Sequence, residues 1–381
     1  MREVVVSGVG LHKLGRFDGK SYVEMACETI RTALKDANVS WKEIQAAYCS
    51  RMYLPPTTGV RVCAAMGLTA IPVWDIESAC ASGGSALRSG FMAIAGGFYD
   101  TVLVFGVEKM PRGFMSPENI YDLWQCYVGL SVNPMYFALE ARAHMDKYGS
   151  TAKHFAKVSV KNHKHGALNP YAMYQKECTL DEVLNSRIVC DPLHLLELCA
   201  PNEGSAALVL TTRKLAVKRN TKPITVCTSV VKTPLYPPPL FPPAYQTSAR
   251  IQSLPLTTLA ARQAYEESGI GPEDLDMVEL QDVAAPSEIF YSEELELCPP
   301  GEGCRLLDEG VTEIGGRLPI NASGGLLSNG EPIGASGLRQ VVEVTWQMRG
   351  EAGRRQVEGA KVGLSHVVGA GPNCGVVILK K

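Results

Sequence analysis

The sequence predicts an α/β fold built from two copies of one unit, and three observations point there. Strand-like apolar runs alternate along the chain with segments of helical spacing. Stretches of the C-terminal half repeat the pattern of stretches in the N-terminal half. The 381 residues also exceed one small module and suit a duplication, at about 150 residues per unit.

The elements follow in order. Arg2–Val9 reads as a strand, and Ser21–Ala37 has helical spacing through Val23, Ala26, Ile30 and Leu34. Ile44–Tyr48 and Val73–Ile76 read as strands, a helix follows Cys80, and Thr101–Gly106 reads as a buried parallel strand. Ala206–Leu210 reads as another strand. The run Ala33 to Ile44 then recurs as Ala264 to Leu275, each with a helix end, a small-residue turn and a strand start. Gly84-Ser85-Ala86-Leu87-Arg88 recurs as Ala335-Ser336-Gly337-Leu338-Arg339, with an apolar strand expected after each at Thr101–Gly106 and Lys361–Ser365. Two halves result, 1–215 and 222–381. The first carries an irregular insertion over about 111–187, and Pro234–Pro243 is too rich in proline for a regular ladder and reads as an extended loop.

Composition narrows the function classes. Apolar residues make up 46% and charged residues 20%, which supports a core. Lys plus Arg is 37 against 39 Asp plus Glu, so the formal charge is −2 and a phosphate backbone finds no basic face. No apolar run is long enough to span a membrane. The start reads as a strand and turn, so a cytoplasmic location is expected. The twelve cysteines form no CxxC pair and mostly sit in apolar runs, which suits reduced, buried thiols.

Cys80 stands apart. It follows the strand-like Val73–Ile76 and is succeeded at once by Ala81-Ser82-Gly83-Gly84 and an Ala/Leu-rich helix. This places the sulfur near a helix N-terminus, where free N–H groups favour a thiolate and an oxyanion. A cysteine buried at a tight strand–helix junction, without chemistry, is the other reading of these residues.

The segment Ser78-Ala79-Cys80-Ala81-Ser82-Gly83-Gly84 resembles the nucleophile loop of the thiolase superfamily. Asn321-Ala322-Ser323-Gly324-Gly325 through Gly330-Glu331-Pro332-Ile333-Gly334-Ala335-Ser336-Gly337 resembles its NxSGG…GHPxGATG block. Gly106 to Met110, Val158 to His163, Val278 to Asp282 and Ser365 to Gly369 also resemble family segments, in the family's order. The likeness runs essentially end to end and is greatest to the sterol-carrier-protein-type, lipid-transfer-protein-like branch. It implies a duplicated five-layer αβαβα fold with an inserted loop domain, usually dimeric, acting on acyl-CoA and CoA as substrates with no bound cofactor or metal. Cys80 would accept the acyl group, with its own N–H and one from Gly369 to Gly371 forming the oxyanion hole. Asn321, Ser323 and Gly324 would contact substrate. Branch relatives also associate with a small partner carrying a zinc ribbon and an OB-fold.

The departures lie where proton transfer belongs. The family's GHP histidine is Glu331 here, its HDCF histidine is Gln281, and the cysteine of that motif is Val283. Glu331 follows Cys80 by the same 251 residues that separate Gly84 from Ala335, so pseudo-twofold pairing would aim both groups into one site. A carboxylate beside Cys80 disfavours the thiolate yet could take its proton; a helix-capping carboxylate without chemistry is the alternative. Gln281 could donate to a thioester or enolate oxygen, or simply pack. His366 is a candidate acid, base or oxyanion donor, or a structural histidine. Lys161, His163, Lys164 and His165 read as a basic patch, solvated or in contact with CoA phosphates, and HxH has no further metal ligand. Three functions follow: a thiolase or acyltransferase working through acyl-Cys80, a retro-aldolase on a 3-hydroxyacyl-CoA, and a non-catalytic CoA-binding subunit. The aromatic insertion residues Tyr121, Trp124, Tyr127 and Tyr136, with Met135, suit a bulky substrate, of which benzoylsuccinyl-CoA is one example.

Overall fold

A computed structural model describes residues 2–113, 123–235, 254–370 and 373–381. Each half opens alike, for a local reason. The helix Tyr22–Asp36 starts at Ser21, whose hydroxyl accepts from the Glu24 N–H while the Glu24 carboxylate accepts from the Ser21 N–H. A single 3₁₀ turn follows, closed by the Ser40 N–H donating to Glu43 at 2.8 Å. In the second half the helix Leu256–Ser268 leads into a 3₁₀ turn closed by the Gly271 N–H donating to Asp274 at 2.9 Å. The helix Leu256–Ser268 has no side-chain cap, so what recurs is the closure of the 3₁₀ turn after each helix.

The strands are β1 (Val4–Leu11), β2 (Ala46–Ser50), β3 (Val73–Ile76), β4 (Thr101–Lys109), β5 (Ile188–Cys190), β6 (Leu193–His194), β7 (Glu203–Thr212), β8 (Ile224–Lys232), β9 (Met277–Glu279), β10 (Val362–Gly369) and β11 (Asn373–Lys380). Nine form one sheet, ordered β3-β2-β4-β7-β1-β8-β11-β10-β9, and β5 with β6 form a small ribbon. Read outward from the middle, β1-β7-β4-β2-β3 and β8-β11-β10-β9 are one topology used twice. The missing outermost strand of the second half survives as a parallel bridge from Val278 to Ile320. The halves join where β1 pairs with β8 through Val5–Thr225 and Val6–Ile224. Thr101–Gly106 is parallel to β2 but antiparallel to β7, so the expected parallel strand sits in a mixed sheet.

Three apolar clusters account for five layers. One lies under the helices Tyr22–Asp36 and Thr58–Met66, and another under Leu256–Ser268 and Ala285–Glu294. The third surrounds the helices Ser82–Ala95 and Ile333–Arg349, which pack against strands of both halves. These two central helices cross where Gly83 meets Gly337. A Cβ on Gly83 would stand 2.9 Å from the Leu338 backbone nitrogen and 3.1 Å from the Gly337 Cα. Close crossing at that point aligns the N-terminal ends of both helices, and so Cys80 and Glu331.

The insertion is not irregular. Between β4 and β7 it folds into the helices Asn133–Tyr148 and Ala152–Gly166, with two short ones at Leu123–Tyr127 and Leu180–Leu184. Phe137, Ala141, Phe155 and Val158 carry it onto the core of the second half, an apolar spacing hidden among its Tyr, His and Lys residues. Of the proline-rich loop, Pro234 and Leu235 are irregular, and the rest of Pro234–Pro243 lies outside the described residues. All twelve cysteines are free, and no described helix is long and apolar enough to cross a membrane.

Candidate active site

Cys80 sits in a loop wound by short local bonds. The Ala81 N–H donates to Ser78 O and the Ser82 N–H to Ala79 O, each at 3.0 Å, while the Ser82 hydroxyl is donated to by the Ser78 N–H. The turn forces Ala79 to φ 48°, an unfavourable region for a residue with a Cβ. The end of β10 presses on this loop, since a Cβ on Gly369 would stand 2.3 Å from Ser78 O. That contact delivers the next N–H, of Ala370, to the Cys80 sulfur, where Cys80's own N–H also points. The N–H groups at the sulfur are thus those of Cys80 and Ala370; Gly369 supplies the close approach, and Gly371 lies outside the described residues.

Glu331 comes from the equivalent place before the second central helix. Its N–H donates to Ala200 O at 2.9 Å, which pins the segment to the strand entering β7. Its carboxylate takes the Gln281 amide at Oε1, 3.0 Å away, and the Cys199 thiol at Oε2, 3.6 Å away, and is hydrogen-bonded to the Cys80 thiol. Burial raises the pKa of Glu331 above the usual carboxylate range, against the pull of these three donors. Burial likewise pushes the Cys80 thiol well up, the neighbouring carboxylate pushes it further, and the Ala370 and Cys80 N–H groups oppose both. At neutral pH the resting pair is therefore a thiol beside a carboxyl group that readily takes a proton.

Other expected residues lie elsewhere or are already engaged. Gln281 spends its NH₂ on Glu331, and its oxygen accepts from the Val368 N–H, so it positions the carboxylate instead of offering a donor to substrate. His366 is fully buried at the edge of Tyr291 with Nε2 3.1 Å from the Thr257 hydroxyl. Burial lowers its pKa to about 3, so it is a neutral histidine and not an acid–base group near neutral pH. Asn321 and Ser323 are buried and internally bonded: Asn321 to Glu288 and the Leu280 N–H, Ser323 to Glu279 and Arg339. Gly324 packs on Gly166. Lys161 is buried against Glu288 at 2.8 Å and Ile320 O at 2.7 Å, and Lys164 pairs at the surface with Glu313. His163 and His165 are buried too, so no solvated basic patch exists here. These substrate-binding candidates build the frame: Asp282 ties the Gln281 segment to the Leu326 and Leu327 N–H groups, and burial raises it to about 8.

A cavity of about 440 Å³ opens onto Glu331 and Cys199. Its wall includes Glu331 and Cys199, apolar Met110, Phe137, Leu198 and Ile333, and polar His163, Tyr174 and Arg187. Trp124, Tyr127, Met135 and Tyr136 are not in it, and Tyr121 lies outside the described residues. Tyr53, beside Cys80 in a small cluster with Met52, Met110 and Ile333, was not singled out by sequence. Its loop is fixed by Glu108, whose carboxylate accepts from the Met52 and Tyr53 N–H groups and whose pKa burial raises to about 7. Cys199 was missed as well, since its run Leu195–Leu198 reads as packing; the vacancy at Val283 was the available signal. Among the described residues no group of three metal ligands occurs.

Family models agree with this site's halves. One described as "Thiolase, N-terminal domain" matches residues 4–214, and "Thiolase C-terminal domain-like" matches 246–381. The chain belongs to the thiolase family. The chain is 38% identical to sterol carrier protein 2 of Oryctolagus cuniculus over 99% of its own length and 72% of that protein. It is 37% identical to an acetyl-CoA acetyltransferase of Methanothermobacter thermautotrophicus, covering 97% of both chains. It is 34% identical to the benzoylsuccinyl-CoA thiolase subunit BbsB of Thauera aromatica, over 97% of its own chain and 95% of that one. Among solved structures, the Ltp2-ChsH2(DUF35) aldolase matches with a TM-score of 0.85 at 25% identity, covering 99% of this chain and 97% of that one.

Proposed function

We propose that this protein transfers acyl groups between carbon and CoA, cleaving or forming a C–C bond of a 3-oxoacyl-CoA through acyl-Cys80. The observation that carries the reading is the convergence of the Cys80 and Ala370 N–H groups and the Glu331 carboxyl on one sulfur. Glu331 takes the thiol proton as the sulfur attacks the keto carbon, in the place of a histidine. The two N–H groups then hold the oxyanion of the tetrahedral intermediate. The alkane-like wall of the cavity favours a bulky acyl group, and benzoylsuccinyl-CoA is a reasonable test compound given the 34% identity to BbsB. The halves 1–215 and 222–381 act as one cytoplasmic unit, as a homodimer core and with a small zinc-ribbon/OB-fold partner. Neither nucleic acid nor a membrane belongs to this reading.

A second reading is favoured by one observation, the likeness to an aldolase at a TM-score of 0.85. A retro-aldolase would use Glu331 on the hydroxyl of a 3-hydroxyacyl-CoA and form no acyl-cysteine. Product analysis separates them. CoA-dependent release of two acyl-CoA products, abolished in Cys80→Ala, is expected; aldehyde or ketone release without free CoA, unaffected in Cys80→Ala, would overturn the thiolase reading.

A further inference from the structure

The mechanism above needs two proton transfers, and Glu331 accounts for one. After C–C cleavage the leaving acyl-CoA enolate must gain a proton at its α-carbon, or in the reverse direction lose one. The family's cysteine next to the HDCF histidine is Val283 here, and Gln281 and His366 do not exchange protons near neutral pH. Another thiol occupies the same neighbourhood from a different segment. Leu198 bridges Ala284 in antiparallel fashion, and the Cys199 N–H donates to Val283 O at 2.9 Å, so Cys199 lies beside the vacated position. Its sulfur donates to Glu331 Oε2 at 3.6 Å, and both residues line the 440 Å³ cavity, whereas Cys80 does not line it and is joined to it through Glu331.

We propose that Cys199 is the second acid–base group of this site, giving the proton to the α-carbon and taking it back from CoA. The inference rests on the acyl-Cys80 reading and deepens it. Cys80 gives its proton to the Glu331 carboxylate and its sulfur bonds the keto carbon. Collapse breaks the Cα–Cβ bond and leaves its electron pair on the α-carbon. The Cys199 S–H proton moves to that carbon, so acyl-CoA departs and Cys199 is a thiolate. The incoming CoA thiol gives its proton to Cys199, and its sulfur attacks the acyl-Cys80 carbonyl. Cys80 leaves as a thiolate and recovers its proton from Glu331. The shared carboxyl couples the two thiols: while Glu331 holds the Cys80 proton it is neutral, and the like-charge penalty against a Cys199 thiolate is absent.

Two half-reactions of the full-length protein test this, with acetyl-CoA and phenylacetyl-CoA as small and bulky probes. Acylation of Cys80 by p-nitrophenyl acetate needs neither an α-proton nor a protonated leaving group and so bypasses Cys199, whereas deuterium exchange from D₂O into the α-carbon of either acyl-CoA probe depends on it. Cys199→Ala is expected to acylate Cys80 within about three-fold of wild type while exchange falls at least roughly a hundred-fold. Cys199→Ser, with a weaker acid of similar shape, is expected to fall between. Exchange at the wild-type rate in Cys199→Ala would overturn the proposal, as would parallel loss of both half-reactions with a lowered Tm. Exchange that survives Cys80→Ala but not Cys199→Ala would uphold Cys199, and wild-type exchange with no acylation of Cys80 would uphold Cys199 while removing the acyl-cysteine. Wild-type protein that acylates Cys80 without any exchange would overturn Cys199 and leave the acyl-cysteine standing.

Discussion

At the scale of single residues, the site is a thiol–carboxyl–thiol array, Cys80, Glu331 and Cys199, in place of thiols activated by histidines. A histidine beside a thiol becomes a cation and favours the thiolate, whereas a carboxylate does the reverse, so here the proton must move as the sulfur attacks. Activity should rise with pH through the raised pKa of Glu331, which must be ionised to accept, and fall again as the Cys199 thiol, which must carry the proton for the α-carbon, ionises. Glu331→Gln is expected to remove the rising limb and to cut turnover roughly a hundred-fold or more. The same substitution removes the carboxylate that opposes ionisation, so the pH midpoint for alkylation of Cys80 should move down. Turnover and thiol reactivity moving in opposite directions is the signature; an alkylation midpoint that stays put would place Glu331 outside reach of the sulfur. The place of Cys80 just before a helix was legible because a strand followed by small residues and an Ala/Leu-rich run is a local signal. Cys199 was not, because its chemistry depends on a contact with Glu331, 132 positions away.

At the scale of elements, the crossing of the two central helices sets the site. Gly83 and Gly337 let the backbones touch, and a methyl group on Gly83 would meet backbone atoms that have no room to give. Gly83→Ala should therefore cost about 1–3 kcal/mol, the usual range for overpacking. It should also slow acylation of Cys80, three residues upstream. A Tm unchanged within error, with wild-type acylation, would show that the crossing tolerates a side chain. The paired helices and strands were readable from the repeat, since capping residues and apolar spacing are local. The helical insertion was misread as irregular because Asn133–Tyr148 buries its face on the distant second half, and its polar residues blur the period. Lys161, Asn321 and Ser323 were misplaced for a related reason. Polar residues in family-like segments suggest ligand contacts, and burial against Glu288 and Glu279 is invisible in one dimension.

At the scale of the whole molecule, buried carboxyl groups hold the halves around the site and leave a mark on stability. Burial raises Asp282 to about 8, and Glu108 and Glu197 each to about 7. Groups raised on folding bind more protons in the native state, so their contribution is full below the unfolded pKa and is lost as pH rises through the folded one. The buried histidines His165 and His366, lowered to about 3, act in the opposite sense but only below about 6.5. Stability should therefore decline from pH 6.5 to 8, and Asp282→Asn should flatten the decline in thermal melts; a slope identical to wild type would show that Asp282 stays ionised. The sheet that runs through β1 and β8 carries both halves to one cleft, where acyl-Cys80 is expected to form. Intact-mass analysis and peptide mapping after mixing with a 3-oxoacyl-CoA, in the absence of CoA, test it most directly. An acyl adduct on Cys80, absent in Cys80→Ser and discharged by added CoA, is expected; turnover of substrate with Cys80 unmodified throughout would contradict it.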